Sequence, residues 1–126
     1  MVQTDVSQLS SECNAWREAL RSYREEFSRD KIRLLQAAGH SLSKDQLQEL
    51  EHLQNQFHIQ LINIHDLKQA IKLHDRKMSL ERAAGQEGQD EMMAEHENLH
   101  GQYEILTQTL QDLRQEFDRF LERSHT

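Results

Sequence analysis

The chain has 126 residues, of which 36% are apolar and 29% charged, against roughly 45–50% apolar in an average globular domain. Four glycines and no proline cannot supply the tight connections of a β-sandwich, a barrel or a doubly wound sheet, which leaves long helices. No apolar run approaches the roughly 18 residues of a membrane span, and the opening MVQTDVSQLS lacks a basic-then-apolar signal pattern, so a cytoplasmic protein away from membranes is expected.

The first helix is expected at about residues 5–38. Val6, Leu9, Cys13, Trp16, Leu20, Tyr23, Phe27 and Leu34 recur in alternating steps of three and four, a heptad seam interrupted only by Asp30. It closes at Ala37-Ala38-Gly39, where glycine can take the left-handed conformation. The second helix, about 43–84, opens with a capping box in which Ser43 and Gln46 bond each other's backbone, with Leu42 and Leu47 in the staple positions. Its main stripe is Leu50, Leu53, Phe57, Leu61, Ile64, Ile71 and Met78. The third, about 89–123, carries Met92, His96, Leu99, Tyr103, Leu106, Leu110, Leu113, Phe117 and Phe120. Rods of this length, joined by short turns near 39–42 and 85–88, make sequential neighbours antiparallel. The expected fold is all-α: a single domain over 1–126, an up-down-up three-helix bundle with coiled-coil-like heptad packing.

The second helix is apolar twice. Ile59, Ile62, Ala70, Leu73 and Leu80 lie roughly opposite its main stripe. If this helix sits between the other two, both stripes are buried within the monomer, which is the expectation. The alternative is a surface for self-association or a protein partner, with Ile59, Ile62, Leu73 and Leu80 as contacts. The net charge of −7 is also uneven: residues 1–42 and 43–84 each balance six acids with six bases, whereas 85–126 hold ten acids and three bases. Six carboxylates (Glu87, Asp90, Glu91, Glu95, Glu97, Glu104) would fold back beside Lys68, Lys72, Arg76, Lys77 and Arg82, giving internal neutralisation; a basic partner or a metal ion is the alternative. No net-basic face with interleaved aromatics points to nucleic acid.

Eight histidines are the feature closest to chemistry. His96-Glu97-Asn98-Leu99-His100 resembles the H-E-x-x-H of zinc peptidases, but no strand precedes it and no glycine turn leads to a third ligand, so peptidase activity is not expected. A metal site without catalysis fits better. His96 and His100 are one turn apart and Glu104 extends the ladder by another turn. His74 and His96 stand eleven residues either side of a turn centred at 85, which sets them level on their seams, with Met78 opposite Met92 and the start of the first helix near Asp5 and Val6 alongside. A pocket of His74, His96, His100 and a carboxylate such as Glu104 would suit zinc, iron or a similar transition ion. Alternatively, His74 and His96 are neutral core residues hydrogen-bonded to each other or to a nearby side chain. Glu49-x-x-His52 and Glu97-x-x-His100 resemble the paired motif of di-iron bundles but lie at opposite ends of the rod. His65-Asp66-Leu67-Lys68 resembles the phosphoacceptor segment of histidine kinases and phosphotransfer domains. That resemblance implies His65 as acceptor, Asp66 polarising it and Lys68 steadying the phosphoryl group, although Gln69 stands where those domains place glycine.

A single cysteine excludes an intrachain disulfide or a Cys-rich zinc module, and Cys13, on its seam, reads as a small hydrophobe. Gly101 faces away from the seam and costs its helix about 1 kcal/mol, marking either a close approach by another chain or a tolerated weak point. There is no phosphate loop, no nucleophile–base pair and no loop long enough to shape a substrate pocket. The sequence therefore points to a non-catalytic helical interaction or assembly module without a cofactor, binding a protein partner or itself. A small metal-binding protein using His74, His96 and His100 is the runner-up, and phosphotransfer through His65 the third reading.

Overall fold

A computed structural model of the chain describes residues 6–84 and 89–124. Asp5, the second turn at 85–88 and Glu87 lie outside the described residues. Three helices carry the fold: α1 (Val6–Ala37), α2 (Lys44–Ala84) and α3 (Gln89–Ser124).

The first connection is built from local chemistry. Ala38 N–H still bonds Leu34 O in the α-helical pattern, then Gly39 and His40 N–H turn back to Gln36 and Ala37 O three residues behind, which tightens the last turn and satisfies the end carbonyls. Gly39 does not adopt the left-handed conformation expected from sequence; the tightened turn closes the helix instead. The capping box forms as expected. Gln46 N–H donates to Ser43 Oγ at 3.1 Å, and Ser43 N–H donates to Gln46 Oε1 at 2.9 Å.

Side-chain contacts fix the topology. Phe27 packs on Phe57 and Phe57 meets Phe117 edge-on, with ring centres 5.4 and 5.2 Å apart, so one aromatic from each helix fills the centre of the rod. Arg17 pairs with Asp75 and Arg82 donates to Ser7, which sets α1 antiparallel to α2. His52 pairs with Glu116 and Arg123 with Glu49, which sets α2 antiparallel to α3. Parallel α1 and α3 are joined by Gln111 to Tyr23 and by Arg114 to Glu26. The result is the up-down-up bundle, with the three heptad seams converging on one core.

Two features depart from simple seam packing. Asp30, the one polar residue in the α1 seam, is only 3% exposed; Arg33 Nη1 donates to its Oδ1 at 3.3 Å while Oδ2 has no partner. Burial pushes its carboxyl above the ordinary range, against the pull of Arg33. The second departure is the outer stripe of α2. Ile59, Ile62, Leu73 and Leu80 are between 37% and 64% exposed, so the expectation that they are buried within the monomer is wrong. The reason is geometric: α1 and α3 touch each other as well as α2, and a closed triangle of helices buries one arc of each.

Candidate functional site

The seams of all three helices place a polar side chain at one level in the half of the rod that holds the first turns of α1 and α3. Cys13 on α1, His74 on α2 and His96 on α3 are each buried, and one donor atom from each lies within 4.8 Å of the other two. His74 Nε2 is 3.1 Å from His96 Nδ1, and Cys13 Sγ is 4.0 Å from the same Nδ1. The outer nitrogens face carboxylates. His96 Nε2 is 2.8 Å from Glu12 Oε2, and His74 Nδ1 is 3.3 Å from Glu95 Oε1, an ionic-range approach without the alignment of a made hydrogen bond. Lys77 Nζ steadies Glu95 from outside at 3.6 Å.

Burial governs the protonation of the centre. It pushes the Cys13 thiol up to about 12, with the nearby Asp75 and Glu12 carboxylates adding to the effect, so the free side chain is a thiol at neutral pH. It lowers His74, against the attraction of Glu95.

No family model, curated protein or solved structure matches the chain.

The level of the site agrees with the count about residue 85: His74 and His96 meet, and Met78 and Met92 line one small cavity beside His74. His100 and Glu104 are not brought in. The His100 ring stacks on Trp16 at 5.4 Å with its side chain half exposed, and its Nε2 pairs with Glu104 Oε1 at 3.0 Å on the surface. Trp16 occupies the space on the α1 side, its ring also 4.7 Å from His96 and 5.8 Å from Tyr103, so the second histidine of the H-E-x-x-H string lies over the indole. Glu97 is exposed. The carboxylates at the centre are Glu12 and Glu95, and the third donor is Cys13. Sequence reasoning assigned Glu12 and Cys13 no part in it, although Cys13 stands on the α1 seam, and Glu95 entered only as one of six carboxylates open to a metal ion.

His65 is exposed, as a phosphoacceptor would need, but its proposed helpers diverge. Asp66 lines the groove between α2 and α3, while Lys68 turns to the α1 side beside Arg21, Arg24 and Arg29. That side is a local basic groove which the sequence, read helix by helix, did not reveal, because its cations come from two helices. Of the acidic stretch, Glu95 pairs with Lys77, whereas Arg82 reaches Ser7 and Lys68 joins the arginines. Internal neutralisation is thus narrower than expected among the described residues.

The exposed stripe of α2 borders a second groove, floored by Leu67, Ala70 and Leu106, with Ile105 72% exposed at its lip. Gly101 is open: a Cβ built there would meet nothing within 4 Å.

Proposed function

We propose that this protein is a non-catalytic, cytoplasmic assembly module that pairs with a second copy of itself through the outer face of α2 and the adjoining α2–α3 groove. The observation that carries this reading is the exposure of Ile59, Ile62, Leu73 and Leu80 in a bundle whose core is already closed. The same face carries both a ridge, the α2 stripe, and a groove floored by Leu67, Ala70 and Leu106, so two copies related by a two-fold axis offer each other complementary shapes. The size is adequate. From Ile59 to Leu80 the stripe runs about 32 Å at 1.5 Å per residue. Two helices side by side give it a width of about 20 Å. That footprint approaches the roughly 800 Å² per partner of a standard interface. No helix is long and apolar enough to cross a membrane, so this face is not read as part of a span.

Light scattering coupled to size exclusion, over micromolar to submillimolar concentrations, tests the reading. A dimer is expected that becomes monomeric in a Leu73→Glu, Leu80→Glu double variant with its helical content unchanged. A native chain that stays monomeric at every concentration overturns it.

A further inference from the structure

Neither neutral form of His74 satisfies every nitrogen of the buried histidine pair. His96 Nε2–H donates to Glu12 Oε2 at 2.8 Å, so a neutral His96 turns a bare Nδ1 inward. His74 has two neutral choices. With its proton on Nε2 it donates to His96 at 3.1 Å, but its buried Nδ1 is then a lone pair without a partner, 3.3 Å from the Glu95 carboxylate. With the proton on Nδ1, the N–H faces Glu95 at 3.3 Å, short of a made hydrogen bond, and two bare nitrogens face each other across 3.1 Å, with the Cys13 sulfur 4.0 Å from one of them. The second arrangement is the one seen around bound metal ions, where each ligating imidazole gives its other N–H to a carboxylate.

We propose that Cys13 Sγ, His74 Nε2 and His96 Nδ1 form a binding site for a divalent transition ion of the zinc class, one ligand from each helix, with Glu12 and Glu95 orienting the two imidazoles. The spacing fits. Tetrahedral zinc at about 2.05 Å from nitrogen and 2.3 Å from sulfur needs about 3.4 Å between nitrogens and about 3.6 Å between nitrogen and sulfur. The nitrogens are within a few tenths of an ångström of that already, and the sulfur, 4.0 Å from His96 Nδ1 and within 4.8 Å of the His74 donor, closes the remainder by moving inward. A mixed thiolate and imidazole set selects borderline ions over magnesium or calcium. The balance is simple: with both histidines neutral, binding one ion releases one proton, from the Cys13 thiol, and moves His74's remaining proton to the Glu95 side. A fourth position is left to a water or another small donor.

This site does not depend on pairing of the α2 face. It joins α1, α2 and α3 at one level, so an ion bound there ties all three rods together, and its binding opposes unfolding by mass action. It differs from the His74, His96, His100 pocket expected from sequence in replacing a surface imidazole by a buried thiolate.

Titration of the full chain with cobalt(II) chloride, under argon with a phosphine reductant, tests the site. The expected result is a thiolate-to-cobalt charge-transfer band in the near ultraviolet together with the strong visible bands of a tetrahedral ion. Both should saturate at one ion per chain and be abolished by zinc. Cys13→Ala should lose the charge-transfer band, His100→Ala should keep it, and Glu12→Gln should weaken affinity by about 10–100-fold. A native chain that gives no charge-transfer band at saturating cobalt overturns the proposal, as does a band that persists in Cys13→Ala. The native titration needs no substitution, so it decides the proposal even where a variant fails to fold.

Discussion

Replacing Asp30 by leucine should stabilise the protein. Asp30 sits in the α1 seam between Phe27 and Leu34, 3% exposed, with one carboxylate oxygen bonded to Arg33 and the other without a partner. Burying a leucine side chain there contributes about 2 kcal/mol. Removing the stranded oxygen recovers about 2 kcal/mol of desolvation, and losing the bond to the half-exposed Arg33 costs about 1 kcal/mol, since that guanidinium returns to water. The larger side chain costs about 1 kcal/mol in overpacking. The net gain is about 2 kcal/mol, or about 6–10 °C in melting temperature for a chain of this size. The gain is also tied to pH. Burial raises the Asp30 carboxyl above its ordinary 3.8, so the folded chain holds that proton more tightly than the unfolded chain. Asp30 therefore contributes stability below 3.8, which is lost as pH rises through its raised folded value. The leucine advantage should be full at neutral pH and shrink as the solution is acidified into that range. Calorimetric melts of the native chain, Asp30→Leu and Asp30→Asn at several pH values measure this, with asparagine isolating the charge. Melting points for both variants at or below the native value at neutral pH refute the reasoning.

Two further outcomes are expected. Ser43→Ala removes one bond of the capping box that opens α2 and should cost about 1 kcal/mol, read from the shift in urea midpoint at unchanged slope. The Cys13 thiol, buried and pushed up to about 12, should resist iodoacetamide in the folded chain and react at the rate of a free thiol in denaturant; rapid native labelling counts against the packing described.

The fold was legible because heptad spacing states which side of each rod faces inward, and scarce turn residues leave few ways to join three rods. Ser43 and Gln46 went further and marked a helix start to the residue. Counting from residue 85 placed His74 opposite His96, because α2 and α3 share one connection and a common level. What the spacing omits is the lateral neighbour. It puts Cys13 and His96 on seams without saying that α1 brings Cys13, rather than Asp5 or Val6, to the level of His96. The stagger is set elsewhere, by Phe27 meeting Phe57. His100 illustrates the same gap: one turn from His96 on the same side of α3, it is diverted by the bulk of Trp16 on another helix. The second α2 stripe failed as a prediction because amphipathicity reports how many faces a helix can bury, and closure of α1 against α3 decides how many it does.

Trp16 is the sole tryptophan, and its ring partners His96, His100 and Tyr103 all belong to α3. Its emission is therefore a reporter of one seam rather than of the whole bundle. If α1 swings away while α2 and α3 stay paired, the indole loses its stack and gains water, and its fluorescence changes while the circular dichroism of the helices scarcely moves. The chain thus carries an intrinsic optical probe that separates release of its first helix from melting of the remainder.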